Sequence, residues 1–279
     1  VLTGGFSEVN RARRVAMAQD EFRAAMSSWP GDALEAYIAR HYPAYWLKVD
    51  LSHKLAQAEF MRRAEAQGKK LATSVRVDEA RGVTELTVLA GDHPRLLATI
   101  AGACAVAGAN IVDAQIFTTT DGRALDTVII SRAFDQDADE ARRGERIARL
   151  IEQVLQGRVR LAEAVARKRP KSRRRDAFTI EPQVRVTNDL SDRFTVVEVE
   201  CLDRHGLLYD LTHGLSELSL DIASAHIATF GERVVDTFYV TDLTGHKVTA
   251  KARQNRIRRA LQDAIGIDAA ATIAEKKAS

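Results

Sequence analysis

Two short stretches carry residues whose types and order suit recognition of a charged small molecule. Asp92-His93-Pro94-Arg95-Leu96-Leu97 runs into an apolar segment that ends at Ala109-Asn110-Ile111. Asp203-Arg204-His205-Gly206-Leu207-Leu208 does the same and ends at Leu220-Asp221-Ile222. In both, an aspartate stands where a strand pattern gives way to a helix. The N–H groups that open a helix suit a carboxylate. Asp92 or Asp203, with Asn110 or Asp221 at the start of the adjacent strand, offers acceptors to an ammonium group. Together these are what an α-amino acid requires. The plainer reading is that both aspartates cap helices, each contributing about 1 kcal/mol. Spacing alone does not separate the two readings, but the repetition of the corner favours the first.

Catalytic constellations do not emerge. Gly4-Gly5-Phe6-Ser7 has no Asp-x-Asp strand behind it to hold Mg²⁺. Asp135, Asp137, Asp139 and Glu140 precede a helix pattern, where acidic residues suit the dipole. His41 and His53 fall on separate segments, which argues against a metal site. His205, His213 and His226 have no nucleophile at a recognisable spacing. The chain by itself is expected to have no catalytic residues and no cofactor.

The corner motif belongs to a long internal repeat, which dictates the architecture. The copies align at a constant offset from Thr84 and Thr195 to Thr118 and Thr229. After a single-residue deletion in a hairpin, Asp126-Thr127 meets Asp236-Thr237. Copy one reads as strands at Ser74–Val77 and Val83–Ala90, then the corner helix. Strands at 111–119 and 124–131 follow, joined by Asp121-Gly122, where glycine tolerates positive φ. An amphipathic helix covers Asp139 to Gln156. Copy two repeats this from Val184–Val186 and Phe194–Cys201, and ends in a basic helix over Lys251 to Ile265. Each copy is ββαββα, a circularly shifted ferredoxin-like sheet if its first strand joins the others.

Residues 1–70 read as helices around breaks at Ser28-Trp29-Pro30-Gly31-Asp32 and at His41-Tyr42-Pro43-Ala44-Tyr45-Trp46, the latter dense in aromatics. Phe6, Val9, Ala16 and Met17 form the apolar positions of the first helix, Asp32 is a candidate N-cap, and Gly68 ends the last helix. These helices look too few and too polar for a core of their own, and so resemble a connector docked on something. The division is therefore 1–70 helical connector, 71–160 first repeat, 161–182 basic linker, and 183–279 second repeat with its tail. The fold class is α+β: two tandem ferredoxin-like domains, antiparallel sheets with helices on one face, behind a helical connector.

The formal net charge of +3 is local in origin. Arg167 to Arg175 is so dense in Arg and Lys that the remainder of the chain is net negative. That run could contact nucleic-acid phosphates, but ferredoxin-like sheets that bind RNA expose aromatics on their central strands. Here those strands show Thr, Val and Ile, with Phe238 and Tyr239 isolated, which argues against a nucleic-acid partner. Sheet edges open to pairing keep a self-association module, and hence a homo-oligomer, as an alternative function. No apolar run reaches the roughly 18 residues of a membrane span. Cys104 and Cys201 lie in dissimilar settings and read as buried thiols of a cytoplasmic protein. The chain starts at Val1, as a piece of something longer would.

An Asp-Arg-Pro-Gly-Leu-Leu-like corner, an apolar helix and Asn-Ile opening a strand resemble the ACT domain, a ferredoxin-like module that binds amino acids and regulates enzymes. The surroundings narrow the resemblance. Val1-Leu2-Thr3-Gly4-Gly5-Phe6-Ser7, Arg40-His41-Tyr42-Pro43-Ala44-Tyr45-Trp46, the tandem copies, and the basic run before Phe178-Thr179-Ile180-Glu181-Pro182 resemble one enzyme family. It is the bifunctional uridylyltransferase/uridylyl-removing family acting on the PII nitrogen-signalling protein, in its alphaproteobacterial type, and the likeness is to its C-terminal part.

The resemblance implies a glutamine-sensing segment that follows a nucleotidyltransferase and a hydrolase domain. Mg²⁺ and UTP would be needed by the catalytic part, and the partners would be L-glutamine, PII and the enzyme's own catalytic domains. It further implies effector contacts at Asp92, His93, Pro94, Leu96, Asn110 and Ile111, and at Asp203, Arg204, Gly206, Leu207, Asp221 and Ile222. Both corners depart from the family pattern. Arg95 replaces its glycine in copy one, and His205 its proline in copy two. Arg95 puts bulk and charge where backbone would approach a ligand, so the second corner, with Gly206, is narrowly the better candidate.

Overall fold

The computed structural model describes residues 3–168 and 181–266. Most of the basic run and the tail from Glu275 lie outside the described residues. Four helices come first: α1 (Thr3–Ala25), α2 (Gly31–Ala39), α3 (Pro43–Lys48) and α4 (Leu51–Ala66). The first repeat supplies β1 (Ala72–Asp78), β2 (Val83–Gly91), α5 (Leu96–Val106), β3 (Ile111–Thr118), β4 (Arg123–Ser131) and α6 (Asp137–Leu155). Then come α7 (Leu161–Lys168), β5 (Gln183–Thr187), β6 (Thr195–Leu202), α8 (Leu207–Glu217), β7 (Leu220–His226), β8 (Thr229–Phe230), β9 (Arg233–Asp242) and α9 (Lys251–Ile265). Sheet orders are β1-β2-β4-β3 and β5-β6-β9-β7, with β8 on β9. In each repeat the first strand takes the edge beside the second, as the shifted ferredoxin-like order requires.

The chain packs as two units. One runs through the helices to Ser74 and takes in Thr87–Asp92 and Phe117–Leu125. These helices share their core with residues of the first repeat, in line with a segment docked on something. Phe22, Met26, Tyr37, Tyr45, Trp46 and Met61 are buried with Leu89, Phe117 and Leu125 of the first repeat. The Tyr45 ring meets Phe117 edge-on with centroids 5.5 Å apart. The aromatic break was the core, because rings bury more area per residue than the aliphatic stripe sought there. That stripe itself fails, since Val9 is 70% and Met17 62% exposed while Phe22 is fully buried. Asp32 is not an N-cap either: Pro30 holds that position, and the Asp32 carboxylate accepts from the Ala33 amide. Gly68 does end α4, with φ +63°.

The other unit holds Val75–Leu86, His93–Ile116 and the described residues from Asp126 onward. In its sheet, β6 and β9 alternate. Val197, Val199 and Cys201 are buried, while Glu198 and Glu200 sit on the other face and pair with Arg185 and Arg233. α8 packs against α5 and α9, and α7 packs on α5. Within the stretch read as linker, α7 is therefore a helix that buries Val165. Gly102 makes the close approach possible: a Cβ there would lie 2.7 Å from both Leu161 and Tyr209. Glu140, at the acidic start of α6, is fully buried; it accepts from Thr84 at 3.0 Å and pairs with Arg143 at 2.8 Å.

Candidate functional site

α5 and α8 enclose a cleft of about 250 Å³ at the second corner. It is lined by Asp203, Arg204, His205, Gly206 and Leu207 from that corner. The first repeat brings Asn110 and Ile111, with Ala101 and Ala105 of α5. A space of this size suits one small metabolite rather than a drug-sized ligand. The cleft therefore joins the corner of one repeat to the Asn-Ile step of the other.

The corner is shaped by glycine. α8 opens at Gly206, whose φ of +74° lies in the left-handed region. A Cβ there would lie 3.9 Å from Ala105, so backbone conformation rather than space requires glycine. In the first repeat α5 opens at Arg95 with φ −99°, and its guanidinium pairs with Glu217 at 2.9 Å. The two corners thus differ in backbone as well as in side chains.

Neither helix has a side-chain cap. That overturns the capping reading of Asp92 and Asp203. Asp92 is exposed and accepts from Thr118 Oγ1 at 2.9 Å. The Asp203 amide donates to the Glu232 carbonyl at 2.7 Å. Its carboxylate accepts from the Arg204 amide and the Asn110 side chain. Burial raises its pKa, and those two donors with the Arg204 and His205 charges oppose the rise.

Arg204 is tied at one end. Its Nη2 donates to Asp210 at 2.6 Å and to the Ala264 carbonyl at 2.6 Å, securing the corner to the end of α9. Its Nε is buried and unpartnered among the described residues. The cleft also contains Asp236, 1% exposed, with Oδ1 buried and unpartnered among the described residues. Burial lifts its carboxyl to about 7, the Asp203 charge adds to the rise, and the Ala228 amide opposes it. Arg204 and Asp236, each carrying a buried polar atom unpartnered among the described residues, thus line one cavity beside an uncapped helix N-terminus. This arrangement is complementary to a zwitterion.

Six of the twelve residues expected from sequence line this cleft: Asn110, Ile111, Asp203, Arg204, Gly206 and Leu207. Asp92, His93, Pro94, Leu96, Asp221 and Ile222 do not. His93 is exposed and accepts from the Arg95 amide at 3.2 Å, Pro94 is half-buried, and Leu96 is buried in α5. Asp221 and Ile222 stand on β7 opposite Thr241 and Val240, Ile222 buried and Asp221 half-buried. Asp236 is the residue that reading the motif missed. A signal existed: β9 sends Val234, Asp236, Phe238 and Val240 to its buried row, and the repeat places Asp126, also 1% exposed, at the matching position. A carboxylate recurring in an apolar row points to a buried role. Phe238, considered above for RNA stacking, is fully buried in the same row. Among the described residues no group of three or more His, Cys, Asp or Glu converges as metal ligands do.

Fold and corner together define the class: the chain carries two tandem ACT domains. The model of the ACT domain matches residues 84–147, and that of the ACR9-like, ACT-like domain matches 183–276. The named relatives are more particular. The chain is 63% identical over 263 residues to the bifunctional uridylyltransferase/uridylyl-removing enzyme of Rhodopseudomonas palustris, covering 94% of this chain and 28% of that protein. It is 62% identical over 261 residues to the enzyme of the same name from Nitrobacter hamburgensis, with coverage of 94% and 28%. For that of Bradyrhizobium diazoefficiens the identity is 60% over 270 residues, with coverage of 97% and 29%. The chain spans less than a third of the length of these relatives. No helix among the described residues is long and apolar enough to cross a membrane.

Proposed function

We propose that this chain is the glutamine-sensing segment of a bifunctional uridylyltransferase/uridylyl-removing enzyme that modifies the PII protein. L-Glutamine binds in the cleft between α5 and α8 and sets which of the two activities prevails. The observation that carries the reading is that Arg204 and Asp236, whose Nε and Oδ1 are buried and unpartnered among the described residues, both line one small cavity. A donor for a carboxylate and an acceptor for an ammonium are what an amino acid demands, and leaving either unmet costs about 1–3 kcal/mol. The names of the relatives supply the enzyme, and the ACT class supplies the effector type. In this reading UTP and Mg²⁺ belong to catalytic domains in the remaining length of the enzyme, which is cytoplasmic, and the ACT segment acts on them through contacts within the full-length protein.

Calorimetric titration with L-glutamine, L-glutamate as control and Asp203→Ala alongside tests the proposal. Saturable binding of glutamine, weaker binding of glutamate and loss in the variant are expected. A folded chain that releases no heat with glutamine would refute it.

A further inference from the structure

We propose that Asp236, outside the corner motif, is the specificity carboxylate of the cleft: with Asp203 it takes the ammonium of the effector and exchanges a proton as it does so. The inference rests on the reading of the cleft as an amino-acid site and identifies how that site selects its ligand.

The geometry is that of a paired acceptor. Asp236 lies on β9, the strand between β6 and β7, with its side chain in the row that includes Val234 and Phe238. It faces the cavity to which the corner contributes Asp203. One oxygen is unpartnered among the described residues, and the Ala228 amide supports the carboxylate. The ionisable groups around it come from three sides. The corner contributes Asp203, Arg204 and His205, and α8 contributes Tyr209, while Asp210 lies outside the lining and is held by Arg204. β6 contributes the Cys201 thiol, which burial and Asp236 push up to about 12. From the first repeat the cleft receives only apolar side chains and Asn110, whose amide is already given to Asp203. A buried carboxylate, Asp236, and a half-buried one, Asp203, lining one small space disfavour each other's charge. A cation placed between them removes that penalty, whereas a ligand without one leaves it.

Binding therefore moves a proton. At neutral pH the carboxyl of Asp236, lifted to about 7, is partly protonated. Bringing in an ammonium favours the carboxylate, and the displaced proton passes to buffer. If the ionised form is the competent one, its fraction at pH 6 against pH 8 makes the apparent affinity about tenfold weaker at the lower pH.

The test is glutamine titration of the wild-type chain at pH 6, 7 and 8, in phosphate and in Tris, whose ionisation heats differ. Glutaramate, which is glutamine without its ammonium, is titrated in parallel. We expect net proton release at pH 7, about tenfold tighter binding at pH 8 than at pH 6, and no detectable glutaramate binding. His205→Asn should keep the pH dependence. Asp236→Asn should lose it and narrow the preference for glutamine over glutaramate at least tenfold. Glutamine binding with no proton release and no pH dependence would overturn the role of Asp236 while leaving the amino-acid site standing. Absence of glutamine binding in the folded wild-type chain would overturn both. Should Asp236→Asn fail to fold, the wild-type proton release still decides.

Discussion

Asp236→Asn exchanges one carboxylate oxygen for an amide in a side chain that is 1% exposed, so it removes a charge while keeping shape. In the folded protein the carboxyl is raised from 3.8 to about 7 by burial, with the Asp203 charge adding to it. A raised folded value means that the native state binds the proton more tightly than the unfolded chain does. The contribution to stability is complete below 3.8 and is lost as pH climbs through 7. Between pH 5.5 and pH 8 the loss amounts to about 2 kcal/mol, since each tenfold difference in proton affinity is worth about 1.4 kcal/mol. The variant has nothing to titrate there. Its stability relative to wild type should therefore improve by about 2 kcal/mol on going from pH 5.5 to pH 8, without ligand. Tryptophan fluorescence is the wrong probe, because Trp29 and Trp46 both belong to the helical unit. Hydrogen exchange of amides in the β6–β9 ladder, corrected for intrinsic rates at each pH, reads the correct unit. A difference between variant and wild type that does not change with pH would refute the claim that Asp236 is buried as a strained acid.

Gly206→Ala forces a Cβ onto a residue at φ +74°, so it should cost about 1 kcal/mol in urea unfolding and weaken glutamine binding through the reshaped corner. Glu140→Ala strips the partner from the 4% exposed Arg143 and from Thr84. A loss of roughly 3–5 kcal/mol is expected, again seen in urea unfolding. Arg95→Ala breaks an ion pair whose side chains are 67% and 53% exposed. It should shift stability by under about 1 kcal/mol and leave the calorimetric affinity for glutamine unchanged, since Arg95 does not line the cleft.

Much of this protein was legible in the amino-acid order. The repeat, the Asp121-Gly122 turn and the Asp-to-Leu-Leu corners are signals carried by the amino-acid order. Backbone conformation answers them through near neighbours, so the ferredoxin-like order of both copies could be read from them, and the resemblance supplied the ACT class. What the helical segment docks on was not legible, because its core is not local: Trp46, Tyr45 and Phe22 are buried with Phe117 and Leu125, which lie far along the chain. The capping role of Asp203 failed for the same reason, since its partner is Asn110 of the other repeat.

The candidate site divides along that line. Its motif residues were recognisable by type, and Gly206 by its place at the corner. Sequence order alone could not decide that Asn110 of one repeat would complete the corner of the other while Asp221 stayed in its own sheet. Packing of α5 against α8 decided that, aided by a glycine at 102 that admits Tyr209 and Leu161. Nor could it assign Asp236, a carboxylate that becomes a binding group only when tertiary burial removes its water and places it beside Asp203. Local pattern determined the elements; desolvation and long-range packing determined which of their polar groups face the cleft.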